Sequence, residues 1–137
     1  RNVHAGCSVL DYGCGSGILA IAAVRLGAGS VVGVDIDPLA VEAARANAQR
    51  NVVTATFHDS AQAVAGAYDL VVANILSNPL RVLAPAICAH VRSGGQLALP
   101  GILREQADEI AEIYGQWLPM QVADCREDWV CLAGTKR

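Results

Sequence analysis

The sequence of 137 residues is poor in charged and aromatic side chains, and Lys136 is its only lysine. Charged residues make up 17% of the chain, against about 25% in a typical soluble domain. The arginines are scattered and the net charge is −3, so no basic stripe is available to a phosphate backbone and we expect no direct binding of nucleic acid. The hydrophobic content of 53% is typical of one α/β domain whose parallel sheet is buried on both faces.

Long apolar runs are also missing. No stretch approaches the roughly 20 apolar residues that span a bilayer, and no signal-peptide pattern opens the sequence, so we expect a cytoplasmic protein without membrane contact. The cysteines form no Cys-x-x-Cys pair and no cluster with histidine at ligand spacing, which predicts reduced thiols and no metal site. They are Cys7, Cys14, Cys88, Cys125 and Cys131.

A glycine-rich stretch organises the rest of the chain. Residues 9–17 read Val-Leu-Asp-Tyr-Gly-Cys-Gly-Ser-Gly, and the apolar run 18–24 follows. This pattern predicts a buried strand, a glycine loop and the start of a helix. Such a loop places free N–H groups and the positive end of a helix dipole against a ligand above the strand, which favours a nucleotide-like ligand.

The spacing of the glycines narrows the class of ligand. A dinucleotide fingerprint reads Gly-x-Gly-x-x-Gly, whereas Gly13, Gly15 and Gly17 form Gly-x-Gly-x-Gly after the acidic residue Asp11. A carboxylate there suits a cation better than a pyrophosphate, and S-adenosylmethionine carries an α-amino group and a sulfonium. We therefore expect these four residues to bind S-adenosylmethionine. Cys14 is expected to contact it through the backbone, and no neighbouring base makes this thiol a nucleophile.

A second acidic residue ends the next predicted strand, at residues 31–36. Asp35 lies 24 positions after Asp11, close to the offset of about 20 residues at which an acid holds ribose hydroxyls. We predict that Asp35 is the ribose ligand and that the adjacent Ile36 also contacts the cofactor. The alternative for the glycine loop is a tight left-handed turn without a ligand.

Cap signals place the following elements. The segment 27–29, Gly-Ala-Gly, ends the first helix, and Asp37-Pro38 starts a second helix that runs to about Asn51. A third strand is predicted over 53–57. Asp59 follows it, and this residue either accepts a hydrogen bond from the adenine amino group or caps a turn.

The second half of the sequence continues the alternation of strands and helices. A fourth strand over 68–75 contains Asn74 near its end, and Asn78-Pro79 predicts the cap and first residue of a helix. A fifth strand over 96–99 and the turn 100–101 lead to another helix, with an apolar face at Leu103, Ala107, Ile110, Ile113 or Tyr114, and Trp117.

The chain ends on a predicted antiparallel pair, 122–125 and 129–133, joined by a polar turn. We expect Trp117 and Trp129 to pack in the core or at an edge. The whole pattern predicts a doubly wound, Rossmann-like α/β sheet, mostly parallel with an antiparallel C-terminal hairpin. The carboxyl ends of its strands bring Asp11, the glycines, Asp35, Asp59 and Asn74 to one crevice.

Asn74 has no evident structural task, which makes it the candidate catalytic residue. Its side-chain carbonyl accepts N–H bonds and so orients a neutral amine toward an activated methyl group, a reaction that needs mainly positioning. Removing the proton from a lysine amine at pH 7 costs roughly 4.6 kcal/mol. An amide cannot take that proton, and the sequence identifies no acceptor.

Three segments resemble the catalytic domain of the bacterial ribosomal protein L-eleven methyltransferase family. They are the glycine stretch 9–17, residues 33–46 (Gly-Val-Asp-Ile-Asp-Pro-Leu-Ala-Val-Glu-Ala-Ala-Arg-Ala) and residues 73–79 (Ala-Asn-Ile-Leu-Ser-Asn-Pro). Ser93-Gly94-Gly95 and residues 100–103 also match the family pattern. The resemblance covers nearly the whole chain, and the segment around Asn74 is its most specific part.

This resemblance implies an enzyme that uses S-adenosylmethionine to methylate lysine ε-amines and the N-terminal α-amine of a large-subunit ribosomal protein. Gly13, Asp35 and Asn74 would be the principal cofactor contacts. The family also has an N-terminal substrate-recognition domain and a Gly-Thr-Gly-x-His segment upstream of this region. Neither is present here, so we expect the isolated chain to bind cofactor weakly and to lack methylation activity.

Three alternatives remain open at this point. Methyltransferases of nucleic-acid bases or glutamine commonly have Asn-Pro-Pro and an aromatic residue after the fourth strand, where this chain has residues 74–77, Asn-Ile-Leu-Ser. A nicotinamide-dependent oxidoreductase requires a later third glycine. A module that binds a cofactor or partner without catalysis would keep the same sheet.

Overall fold

A seven-stranded sheet forms the centre of the computed structural model, which describes residues 3–60, 62 and 64–137. The strands are β1 (Ser8–Tyr12), β2 (Ser30–Val34), β3 (Thr56–His58), β4 (Tyr68–Ala73), β5 (Val91–Leu103), β6 (Met120–Arg126) and β7 (Trp129–Thr135). The helices are α1 (Ile18–Arg25), α2 (Pro38–Arg50), α3 (Ser77–Ala89) and α4 (Ala107–Tyr114), with a 3-10 turn at Arg104–Gln106.

The strand order is β3-β2-β1-β4-β5-β7-β6. The first five strands pair in parallel, and β7 pairs antiparallel with both β5 and β6. The predicted fold class is therefore confirmed. The order reverses between β1 and β4, so the loops after these strands diverge to opposite faces and open a crevice at the carboxyl edge.

Two clusters of buried side chains fill the two faces of the sheet. One includes Leu10 and Tyr12 of β1 and is covered by α3 and α4. The other includes Val9 of β1 and is covered by α1 and α2. Because successive side chains of a strand point to opposite faces, Asp11 lies on the same face as Val9. At the end of β7, Lys136 donates from Nζ to the carbonyl of Cys88 in α3, 2.9 Å away.

The helix ends follow from local chemistry, with one correction. Asp37 caps α2 by accepting from the Leu39 amide at 3.0 Å, as predicted. Asn78 does not cap α3, because the helix already begins at Ser77 with Leu76 as its N-cap. Leu76 offers no side-chain cap, and its carbonyl accepts the first helical bond from Leu80. A proline is tolerated anywhere in the first turn, so the proline alone could not fix the start.

Most strands differ by a few residues from their predicted bounds, and the third and fifth show how. The third strand is Thr56–His58 rather than 53–57. The fifth is much longer than predicted, because β5 continues through Pro100 and Gly101, which were expected to end it. Its pairing with β7 shifts between Leu99 and Ile102, and Gly101 has φ +71° there, a value that favours glycine.

Neither tryptophan belongs to the buried clusters. Trp117 is 38% exposed beyond α4, and Trp129 is 53% exposed at the start of β7. Of the two expected placements, core or edge, the core is therefore wrong for both. The apolar face of α4 is instead completed by Tyr114 and Leu118. All five cysteines are free thiols. No helix among the described residues is long and apolar enough to cross a membrane.

Within residues 3–60, 62 and 64–137, Asp11 is the one charged residue of the core. Its side chain is 2% exposed, and neither carboxylate oxygen has a hydrogen-bond partner among the described residues. It borders a small cavity of about 150 Å³ whose other walls, including Leu19 and Val72, are apolar. Burial raises the pKa of Asp11 to about 6, the Ala20 amide of α1 opposes that rise, and the Asp35 carboxylate adds to it.

We predict that Asp11→Asn changes how stability depends on pH. The folded pKa of about 6 lies above the ordinary 3.8, so between these values the folded state keeps a proton that the unfolded state releases. The stability that protonated Asp11 contributes is therefore present below pH 4 and lost as the pH rises through about 6. That loss is on the order of 3 kcal/mol, and the uncharged amide avoids it.

Urea unfolding from pH 4 to pH 8 measures this effect. The free energy of unfolding of the variant minus that of the original chain should grow with pH across this window and then level off. Asp11→Leu, which removes the polar group altogether, should show the same slope from a different starting value. A difference that does not change with pH would contradict the assignment of this proton to Asp11.

Candidate functional site

A cavity of about 410 Å³ opens at the carboxyl ends of β1, β2 and β4, where the strand order reverses. Four of the predicted site residues line it together: Gly13, Asp35, Ile36 and Asn74. The remaining walls are mostly apolar and come from Tyr12, Val34, Ile75, Leu76, Pro79 and Leu83. We call this cavity the crevice.

Asp35 supplies the negative charge of the crevice. Its backbone amide donates to the His58 carbonyl of β3 at 3.0 Å, which fixes the position of the residue just beyond β2. Its carboxylate accepts from two amides, Gly15 at 2.9 Å and Asp37 at 3.0 Å, one on each oxygen. A carboxylate has about four acceptor positions, so Asp35 keeps acceptor capacity for the hydroxyl groups of a ligand.

The glycine loop is bonded to the protein itself. The amides of Gly13 and Cys14 both donate to the Val34 carbonyl, at 2.7 and 3.0 Å. The Gly15 amide is taken by Asp35, and the Gly17 amide by the Cys14 carbonyl at 2.9 Å. The expectation of a row of free N–H groups is therefore wrong for these four residues. A pyrophosphate, which depends on such donors, is poorly served.

At two positions of the loop, the neighbouring residues leave no room for a side chain. A Cβ on Gly13 would lie 2.3 Å from Cγ2 of Ile75, so the segment after β4 occupies the space of the missing side chain. A Cβ on Gly17 would lie 3.0 Å from that of Ala44, where the start of α1 meets α2. Both residues have positive φ, +83° and +87°.

Asn74 lies directly after β4 and joins two cavities. Its backbone amide donates to the Tyr12 carbonyl at 3.3 Å, and its side chain is exposed. Besides the crevice it lines a neighbouring cavity of about 650 Å³, here called the outer cavity, together with Gly101 and Trp129. A Cβ on Gly101 would lie 3.3 Å from Asn74 Oδ1, so a glycine at the kink of β5 leaves room for this amide.

Five predicted contacts do not line the crevice. Asp11 lies under α1 on the opposite face from Tyr12 and borders a different cavity, although its carboxylate is near enough to that of Asp35 for the two charges to interact. Cys14 is buried on that same face. Burial raises the pKa of its thiol to about 12, with the Asp11 and Asp35 carboxylates adding to the rise, which disfavours a nucleophile. Asp59 is exposed, and Gly15 and Gly17 shape the loop from outside the crevice.

Sequence reasoning missed the apolar wall of the crevice and the outer cavity with Gly101 and Trp129. The signal for the wall was the apolar pair Ile75-Leu76 directly after Asn74, of which Leu76 is 80% exposed in the structure. The signal for Gly101 was its position after Pro100, which we interpreted as a strand end. Among the described residues, no group of three His, Cys, Asp or Glu side chains is placed to hold a metal ion.

The residues of the crevice fit a nucleoside that carries a positive charge. Asp35 offers acceptor positions for a ribose diol, the apolar wall suits a base, and Asn74 presents an amide at the far side. The carboxylates of Asp35 and of the deeper Asp11 disfavour an anionic ligand. S-adenosylmethionine has this combination of groups, and a dinucleotide does not.

Comparison with known proteins gives a consistent result. The chain matches the family model for ribosomal protein L11 methyltransferase over residues 1–137. The relative from Dechloromonas aromatica is 80% identical over 136 residues, covering 99% of this chain and 46% of that protein. The relative from Ralstonia pickettii is 58% identical with the same coverage. Both are named ribosomal protein L11 methyltransferase, and the chain spans about half of their length.

Solved structures agree with the sequence comparison. The ribosomal protein L11 methylase from Lactobacillus delbrueckii subsp. bulgaricus superposes with a TM-score of 0.89 at 34% identity, over 96% of this chain and 70% of that one. A 16S rRNA N2 methyltransferase from T. thermophilus, solved with AdoMet and guanosine, gives a TM-score of 0.81 at 25% identity, over 97% of this chain and 38% of that one. The chain belongs to the ribosomal protein L11 methyltransferase family.

Proposed function

We propose that the chain is the S-adenosylmethionine-binding and catalytic part of a protein N-methyltransferase. The observation that carries this proposal is the joint placement of Asp35 and Asn74 in one largely apolar crevice. The T. thermophilus enzyme of the same fold, which was solved with AdoMet, supports this choice of cofactor. The internal bonding of the glycine loop supports it against a nicotinamide dinucleotide.

The crevice residues have separate tasks in this proposal. Bound S-adenosylmethionine supplies a sulfonium methyl group that is already activated for transfer. Asp35 accepts the ribose hydroxyls, and the apolar wall excludes water from the base. Asn74 Oδ1 accepts an N–H bond from the acceptor amine and directs its lone pair into the crevice. Cys14 takes no part in covalent chemistry, because its thiol stays protonated.

For the acceptor, we propose lysine ε-amines and the N-terminal α-amine of ribosomal protein L11. The family name supports the ribosomal substrate. The Asn74 side-chain oxygen, which accepts an N–H bond, suits a primary amine. The relatives are about twice as long as this chain, so we propose that recognition of the ribosomal protein uses sequence outside it. The proposed reaction is cytoplasmic and requires no direct contact with nucleic acid or membrane.

Titration of the chain with S-adenosylmethionine and, separately, with NAD tests the cofactor. We expect heat of binding with the first ligand only. Asp35→Asn removes the charge but keeps one acceptor for the loop amides, and the affinity should fall about tenfold or more, since hydrogen bonds to charged groups contribute about 1.5–3 kcal/mol. Asp108→Asn, on the exposed surface of α4 and outside the crevice, is the matched control and should leave the affinity unchanged.

If the isolated chain binds neither ligand, the same titration is made on a chimera in which this chain replaces the matching segment of the Dechloromonas aromatica relative. The high identity of the two segments makes this exchange conservative. Failure of the chimera to bind S-adenosylmethionine would contradict the proposed cofactor and the proposed function together.

The role of Asn74 predicts a large loss of turnover and a much smaller loss of affinity for S-adenosylmethionine. In the chimera, Asn74→Ala should lower kcat for methylation of L11 about 100-fold, because a misdirected amine rarely meets the methyl group. The dissociation constant for S-adenosylmethionine should change much less. Asn51→Ala is the matched control, since its Oδ1 accepts from Arg25 at 2.8 Å and the residue lines neither cavity, and it should retain kcat within about twofold. Equal effects of the two substitutions would exclude Asn74 as the orienting group.

A further inference from the structure

Trp129 is an unusual residue for its place in the sheet. Its backbone is held between two strands, paired with Leu103 of β5 and with Arg126 of β6. The adjoining turn is fixed as well, because the Arg104 amide donates to the Asp128 carbonyl at 2.8 Å. The indole nevertheless remains 53% exposed. A large aromatic side chain on a rigid support, left half in water, is typical of a binding surface rather than of packing.

The exposed indole borders the outer cavity, which continues from the crevice. The two cavities share Asn74, Ile75, Leu76 and Pro79. Gly101 leaves the Asn74 amide accessible from the outer side. A side chain that occupies the outer cavity can therefore contact both Trp129 and Asn74.

The charges around Trp129 favour a cation. Three exposed acidic residues lie in the hairpin turn before Trp129 and in the 3-10 turn after its partner Leu103: Glu127, Asp128 and Glu105. Two arginines lie there as well. The guanidinium of Arg104 is engaged by the Glu127 carbonyl and by Cys125 Sγ, and that of Arg126 faces the Asp124 carboxylate at 3.9 Å. The face of an indole attracts ammonium groups within about 6 Å of its centre, so the aromatic surface and the surrounding charge act in the same direction.

We propose that Trp129 is a specificity-determining residue that binds the acceptor as an ammonium ion at the entrance of the outer cavity, through a cation–π contact. This inference rests on the proposed function. It adds a subsite for the group that is to be methylated, separate from the cofactor crevice, and it assigns the preference for aliphatic amines to one aromatic face. The methylated product, which is also a cation, binds to the same surface.

Binding of a permanent cation tests the proposal without turnover. The ¹⁵N-labelled chain is titrated with an N-acetyl trimethyllysine amide and with its neutral isostere, in which a tert-butyl group replaces the trimethylammonium group. We expect the Trp129 indole N–H signal to shift and saturate with the cation only. Trp117, which is exposed but lies outside both cavities, is the internal control. Equal responses to the two ligands, or no saturable shift of Trp129, would overturn the proposal.

Kinetics in the chimera give a second, independent readout. Trp129→Leu keeps an apolar side chain but removes the aromatic face, and it should raise KM for L11 between about twofold and thirtyfold. Trp129→Phe should fall between the original protein and the leucine variant, and Trp117→Leu should change nothing. The affinity for S-adenosylmethionine should be the same in all of them. If that cofactor binds but phenylalanine and leucine are equivalent at position 129, the subsite is wrong while the proposed function stands.

Discussion

The carbonyl of Val34 is the acceptor on which the arrangement of the site depends. It lies at the end of β2 and accepts hydrogen bonds from the amides of Gly13 and Cys14, which hold the loop after β1 against the neighbouring strand. In this position of the loop, the Gly15 amide donates to the Asp35 carboxylate. Ile75 then fills the space above Gly13, so the turns after three parallel strands are held against one another. A site built in this way is organised before any ligand arrives, and little ordering cost remains for binding.

The same hydrogen bonds bear on which class of ligand the crevice suits. A loop that has bonded its own amides has few donors left for phosphate, and its recognition capacity lies in the Asp35 acceptors and the apolar wall. Asp11 adds negative charge from below, although its carboxylate has no contact with the crevice. Its burial costs stability at neutral pH and raises its pKa to about 6. The core thus retains a destabilising acidic group beneath the loop, on the far side of β1.

Much of this architecture could be predicted from local sequence. The glycine spacing, the cap at Asp37 and the terminal hairpin each have a chemical signature within a few residues. Asp35 and Asn74 could be placed because parallel strands end at the same edge. Two features could not be predicted in this way. The face of the sheet on which Asp11 lies depends on how β1 is oriented relative to the crevice. The hydrogen bonds of the loop amides depend on a carbonyl in another strand. No window of local sequence contains that information.

Three further differences between prediction and structure have a similar cause: the helix cap expected at Asn78, the strand end expected at Pro100, and the exposure of Trp129. Proline is compatible with several positions in the first turn of a helix, so Pro79 did not fix where α3 begins. Proline is also compatible with an irregular part of a strand, where its missing N–H would not have formed a hydrogen bond with the neighbouring strand. Tryptophan is usually placed in a core because of its apolar area, yet β7 supports this residue beside a cavity.

The single lysine has a further consequence if the proposed methylation of lysine is correct. Its Nζ is held by the Cys88 carbonyl, and no other side-chain amine exists in these 137 residues. Copies of this domain at high concentration therefore offer one another almost no side chain to methylate. Under the proposed function, methyl groups then go mainly to other proteins, because arginine supplies the surface cations and its guanidinium is delocalised and always protonated.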